Sequence, residues 1–196
     1  MIYWLYEWWL RRGLRILPSH LCFLISERDM IEAPEKILEV TEWCLQLGMQ
    51  GMIFHIATRN PSRMDEFLPL IRGIGGMAEL HLHRGEKDEV SGSGARVDVA
   101  IGKSGREEIA ASIRKMAYAG IAPEEVDEEK IESFLTFRMT PDLLIKTGES
   151  HLTDFLIWQS VYSELFFFDV NWKYFRRVDL LRALRDFQSR ERRFGG

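Results

Sequence analysis

The residues best placed to do chemistry lie in two short stretches. The first, KTGESHLTDF over 146–155, sets Lys146 and Gly148 after an apolar run and ahead of a segment opening at Thr153. Backbone N–H groups at a helix start, with a lysine beside them, make an anion site; glycine and threonine at a strand-loop-helix junction are also ordinary turn chemistry. The second runs from Phe175 to Gly196, where seven arginines face Asp179, Asp186 and Glu191; it carries +4 and leaves −8 for the rest of a chain of net charge −4. That tail calls for an anion. The acidity of the remainder excludes the broad basic face of a nucleic-acid binder. His81 and His83 alternate along one strand but have no third ligand at suitable spacing, so they are expected on a partly exposed strand face and not at a metal. Cys22 and Cys44 sit in apolar runs with no CxxC, as reduced, buried thiols of a cytosolic protein would.

The elements that must position these residues follow from hydrophobic periodicity. A chain of 196 residues, 46% hydrophobic and 29% charged, suits one globular domain. Short apolar runs at Leu21 to Ile25, Gly51 to Ile56, Ala78 to His83, Val97 to Ile101, Asp142 to Ile145 and Leu165 to Val170 read as strands. Between them, helical spacing marks Pro34 to Leu47, Pro61 to Ile74, Gly105 to Ala119, Asp127 to Leu135, about Thr153 to Ser163, and a terminal helix from Val178. The glycine-rich stretch RGEKDEVSGSG is expected to be a mobile loop. Alternating strands and helices predict a single α/β domain with a mainly parallel sheet flanked by helices. In such sheets ligands bind beyond the carboxyl ends of the strands, so function is sought after Ile25, Ile56, Ile101 and Ile145.

The opening segment, residues 1–17, concentrates Tyr3, Trp4, Tyr6, Trp8 and Trp9 ahead of Arg11, Arg12 and Arg15, an aromatic amphipathic helix. Its basic residues follow the apolar part and Glu7 interrupts it, which is not a signal-peptide pattern, and the run is too short to span a bilayer. Docking on its own domain and a peripheral membrane contact are both open.

From Pro141 to Gly196 the chain closely resembles the C-terminal third of the cis-prenyltransferases, the undecaprenyl and dehydrodolichyl diphosphate synthase family. DLLIKTGESHLTDFLIWQ stands for the family's DLLIRTSGExRxSNFLLWQ, YSELFF for YSELYF, and RRFGG closes both. Upstream, VDVAIGKSGREEI is similar to LNIALNYGGRDEI, and LPSHLCFLISERDM to PxHVAIIMDGNxRW. The resemblance implies a cis-prenyltransferase-like domain over 1–196, closed by an RxG tail at 188–196. It also implies isoprenoid diphosphates as substrates and Mg²⁺ held by hard carboxylates. It further implies that Arg193 and Gly195 reach a partner's active site in trans, a guanidinium forking onto phosphate oxygens beside a glycine that lets the backbone approach.

Departures from the family pattern shape the expected role. Aligned from His20, itself expected to be structural, the catalytic aspartate falls on Ser26, a degenerate catalytic position, with Glu27 one place off. The two arginines that would grip a diphosphate become Lys146 and His151, leaving Lys146, His151 and Thr153 as a degenerate diphosphate site. Glu164 matches a glutamate that supports the metal or the tail, with an internal ion pair as the alternative. Tyr162, Phe166 to Phe168 and Trp172 match the region through which family members dimerise. The segment from Asn60 to Val97 is shorter than the family's, whose long helix there lines the product tunnel. The expectation is a non-catalytic, accessory subunit of a heteromeric cis-prenyltransferase making long-chain polyprenyl diphosphate, similar to the Nogo-B-receptor type. It would be paired as a heterodimer or heterotetramer with a catalytic subunit that binds most of the Mg²⁺. The alternatives are a self-sufficient homodimeric short-chain enzyme using Glu27 or Glu149, and a non-catalytic scaffold.

Overall fold

The computed structural model describes residues 2–85, 87–148 and 156–190, with side chains from residue 5 onward. Seven strands form one sheet in the order β4-β3-β5-β2-β1-β6-β7. They are β1 (His20–Ser26), β2 (Gly51–Ala57), β3 (Glu79–Arg84), β4 (Lys87–Ser91), β5 (Arg96–Ile101), β6 (Leu143–Thr147) and β7 (Glu164–Phe168). Every pairing is parallel except β3 with β4. The helices are α1 (Ile2–Arg12), α2 (Glu27–Glu32), α3 (Lys36–Gln46), α4 (Leu68–Arg72), α5 (Gly105–Tyr118), α6 (Glu128–Phe134) and α7 (Arg177–Ser189). The α/β domain and its mainly parallel sheet are as expected.

The central strands are apolar at nearly every position because both faces of the sheet are covered. Side chains alternate: Leu21, Phe23 and Ile25 join Phe54, Met30, Met64, Ile71, Trp172 and Phe175 on one side, while Cys22 and Leu24 meet Ile53, Ala100, Leu144, Phe137 and Leu156 on the other. Phe23 stacks on Phe54 at 5.1 Å and meets Trp172 and Phe175 edge-on. Both cysteines are buried free thiols whose pKa burial pushes up.

Several expectations need correction. The stretch read as a mobile loop contains β4, an exposed edge strand held to β3 by main-chain pairing and by the bidentate Arg72–Glu89 ion pair at 2.9 Å. His83 is buried, not partly exposed: Nδ1 lies 2.9 Å from Asp88 and Nε2 lies 3.0 Å from Asp98, which Arg96 also grips. The helix expected at 61–74 is broken into a 3₁₀ turn (Pro61–Phe67), α4 and a second 3₁₀ turn (Gly73–Gly76), as Pro69 and three glycines in four residues dictate. The helix expected from Thr153 to Ser163 is absent over 156–162, which form turns, with Leu156 at φ 53°. That left-handed conformation does not belong in a helix. The N-terminal helix, expected to 17, stops at Arg12 where Gly13 turns the chain.

α1 and α7 lie side by side and parallel. Leu10 is buried against Val178 and Leu181, and the Arg182 guanidinium sits 5.4 Å over the Tyr6 ring. Gln188 accepts from the N–H groups of Arg15 and Ile16 and donates to the Gly13 carbonyl. A Cβ on Gly13 would fall 1.5 Å from Arg185 Nη1, so a larger residue there would displace the Arg185 guanidinium. The expected docking of the segment is thus seen, and no helix among the described residues is long and apolar enough to cross a membrane.

Candidate functional site

β1 and β6 are neighbours, and a small cavity of about 70 Å³ opens beyond their carboxyl ends. Ser26, Asp29, Lys146, Thr147, Gly148 and Asn171 line it, with Arg28 and Glu32 paired at 2.6 Å beside them. That ion pair holds the Glu32 carboxyl below the usual range, by hydrogen bond first and charge second.

Ser26 is placed by a reciprocal cap. It is the last residue of β1 and the N-cap of α2: its Oγ accepts from the Asp29 N–H at 3.1 Å and donates to Asp29 Oδ2 at 2.6 Å, while its own N–H donates to the same carboxylate at 3.0 Å. The sequence reading did not single out Asp29. The signal was there, since Ser-x-x-Asp before an apolar residue is a capping pattern. Glu27 turns the other way, to the Thr58 hydroxyl and the Arg63 guanidinium, and does not line the cavity.

Lys146 and Thr147 end β6. Lys146 is 4% exposed and Thr147 3% exposed. Thr147 Oγ1 is buried with no hydrogen-bond partner among the described residues, and Lys146 lines the same cavity with no ion pair among them. Gly148 follows at φ +83°, its N–H donating to the Phe168 carbonyl at 2.9 Å, and a Cβ there would come within 3.0 Å of Asn171 Oδ1. His151, Thr153, Glu149, Arg193 and Gly195 lie outside the described residues.

Glu164 is not beside this cavity. It pairs with Leu143 at the amino end of the sheet, opposite Ser26, and accepts from Arg190 Nη1 at 2.8 Å. Within one chain the ion-pair alternative is the one realised. Arg190 also reaches Asp186 Oδ2 at 2.6 Å, and the hydrogen bond to Glu164 leads the causes that raise its pKa.

The GKSGR segment, 102–106, forms the entry to α5. Ser104 caps the helix by accepting from the Glu107 N–H at 3.3 Å, and Gly102 sits at φ +63°. His55 Nε2 meets the Lys103 carbonyl at 2.9 Å, and the Lys103 ammonium reaches the Gly85 carbonyl. A cavity of about 680 Å³ beside it is lined by both signs of charge, among them Lys103, Arg114, Glu107 and Glu108.

Among the described residues, the site's donor set does not fit Mg²⁺. Asp29 spends its carboxylate on Ser26, Glu32 spends its own on Arg28, and no group of three acidic, histidine or cysteine side chains among the described residues could hold a metal. A hard divalent cation needs several oxygen ligands, some anionic.

The parallel sheet, its switch of direction at β4 and the cavity at the β1/β6 carboxyl ends define an α/β domain with its candidate site beyond the strand ends. The family model described as "Putative undecaprenyl diphosphate synthase" matches residues 77–195, and the chain belongs to this cis-prenyltransferase family. An isoprenyl transferase of Thermus thermophilus is 31% identical across 99% of this chain and 95% of its own length. Those 251 aligned positions exceed the 196 residues here, so the relative holds residues without counterparts in this chain. A tritrans,polycis-undecaprenyl-diphosphate synthase (geranylgeranyl-diphosphate specific) of Methanopyrus kandleri is 33% identical over 82% of this chain and 73% of its own. Lavandulyl diphosphate synthase of Lavandula x intermedia, solved with dimethylallyl diphosphate, shares the fold: TM-score 0.69, 22% identity, 92% of this chain and 99% of that one.

Proposed function

We propose that the chain is the accessory, non-catalytic subunit of a heteromeric cis-prenyltransferase that makes polyprenyl diphosphate from isopentenyl diphosphate and an allylic diphosphate. The observation that carries the reading is the state of Ser26: a neutral hydroxyl at the catalytic position, committed to capping α2. Departure of pyrophosphate builds negative charge that a metal must neutralise, and an uncharged oxygen cannot hold that metal as a carboxylate does. A second observation supports it. Met64, Leu68, Ile71 and Ile74, from the segment that lines the tunnel in the family, are buried in this chain's own core. That leaves the growing product to the partner.

In this reading the partner supplies the aspartate, the Mg²⁺ ligands, both diphosphate sites and the tunnel. This chain contributes Arg193 and Gly195 across the interface, where a guanidinium forks onto the departing diphosphate. The edge strand β7, with Phe167 exposed, offers the unpaired side on which a second subunit can build. The complex would work in the cytoplasm beside a membrane surface, where its long apolar product partitions.

The test is reconstitution. Alone, with farnesyl diphosphate, isopentenyl diphosphate and Mg²⁺, the purified chain should form no product. Adding a family member that carries the intact aspartate motif should give turnover. Arg193→Ala should then lower turnover of the complex about a hundredfold without preventing assembly. Robust product from the isolated chain would refute the reading, and Asp29 would be the first carboxylate to replace.

A further inference from the structure

At about 100° per residue, Tyr6 and Leu10 fall on one side of α1 and Leu5, Trp8, Trp9 and Arg12 on the other. The first side is docked on α7. The second faces water: Leu5 is 55% exposed, Trp8 48% and Trp9 57%, and Ile16 just beyond the helix is 58% exposed. Two tryptophans and two aliphatic side chains left bare on one ridge are uncommon on a lone surface helix, which usually shows water its polar side.

The charge around this ridge decides what can cover it. Arg12 lies 5.0 Å over the Trp8 ring and Arg185 of α7 lies 5.4 Å over Trp9. Each indole thus has a guanidinium against one face and its rim toward solvent. Arg11, Arg15 and Arg182 are exposed close by, while Glu7 is the one acid between Tyr6 and Ile16 and is half-buried. A cationic border around apolar rings, on a chain of net charge −4, is complementary to an anionic surface that is apolar just below. A protein pocket would need to grip rings that each already carry an arginine on one face. A bilayer interface needs only their rims, with guanidinium groups at headgroup depth.

We propose that the outer face of α1, centred on Trp8 and Trp9 and bordered by Arg11, Arg12 and Arg15, binds anionic lipid headgroups and lays the chain on a membrane. This deepens the membrane placement proposed above, and its test needs no prenyl transfer, so the two can fail separately. The contact is interfacial, α1 lying in the plane of the membrane with its α7 packing intact.

The experiment is sedimentation of the full-length chain with vesicles of phosphatidylcholine alone or with phosphatidylglycerol, alongside tryptophan emission. The bound fraction should rise at least tenfold on the anionic vesicles, with emission shifting to shorter wavelength. Trp8→Ser with Trp9→Ser, and separately Arg11→Gln with Arg12→Gln, should each lose at least tenfold in binding, their circular dichroism and melting temperature unchanged. Equal binding to both vesicle types, or wild-type binding by either folded variant, would overturn the proposal. So would variants that leave vesicle binding intact but abolish assembly with the catalytic subunit, which would make the ridge a protein contact.

Discussion

Lys146 brings an ammonium to a small cavity that Asp29 and Glu32 also line, with no ion pair of its own among the described residues. Lys146→Met keeps the length and apolar stem of the side chain and removes only the ammonium at the cavity, so the fold should be retained with little change in melting temperature. The same substitution separates two roles. If the diphosphate sites lie in the partner, turnover of the complex stays unchanged; a fall in isopentenyl diphosphate affinity would return Lys146 to the chemistry. Asp29→Ala removes the carboxylate half of the reciprocal cap, leaving only the bond from the residue-29 N–H to Ser26 Oγ, and should cost about 1 kcal/mol in denaturant unfolding. A sequence reading finds Ser26 by alignment because the neighbouring His20 fixes its place in the family motif. It does not find that Glu27 turns to Thr58 and Arg63 while Asp29 turns inward, since that depends on where α2 starts.

At the scale of elements, β4 shows what periodicity misses. KDEVS has no apolar alternation, and all five residues are exposed, so nothing in its pattern betrays a strand. Charge pairs from neighbouring elements hold it instead, and these titrate. Burial opposes a charge on His83, but hydrogen bonds and charges from Asp98 and Asp88 outweigh it and hold its pKa above the ordinary value. A raised folded-state pKa stabilises below the unfolded pKa and is lost as pH rises through the folded one. Asp98 runs oppositely: burial raises its pKa, yet Arg96 and then His83 bring it below the usual value, so its contribution disappears as pH falls through that lowered pKa. Protection factors of the β4 amides, exchange rates divided by their intrinsic values at each pH, should therefore fall as pH climbs past the His83 pKa, and His83→Gln should flatten that dependence. Gly92, at φ +83°, closes the strand with its Cα against the Ala78 and Gly75 carbonyls; Gly92→Ala would place a methyl 2.1 Å from the first and should destabilise the edge further. The strands buried on both faces were legible because continuous apolar runs have few other uses. The expected helix over 153–163 was not, because the left-handed backbone at Leu156 is set by tertiary packing and leaves no mark in composition.

For the molecule as a whole, the two covered faces differ in kind. The side holding Phe23, Phe54 and Trp172 is a dense aromatic core, and Phe54→Ala should cost about 3–5 kcal/mol on unfolding. The β7 edge ends the sheet with its main chain unpaired on one side, so Phe167→Glu should leave the fold and melting temperature unchanged while lowering the heteromeric species in sedimentation velocity. Wild-type assembly by that variant would move the subunit contact elsewhere. The mainly parallel sheet could be anticipated from alternation of strand and helix, whereas its strand order and which surfaces stay bare could not, since both are properties of the assembled chain.

Because α1 and α7 run in the same direction, Ile2 lies at one end of the pair and Ser189 at the other. Stretching the molecule by handles near residues 2 and 190 would load their contact in shear, with Leu10, the Tyr6–Arg182 stack and the Gln188 hydrogen bonds strained together and not one after another. A force–extension trace should then show one high first rupture, and replacing Leu10 by alanine should lower it.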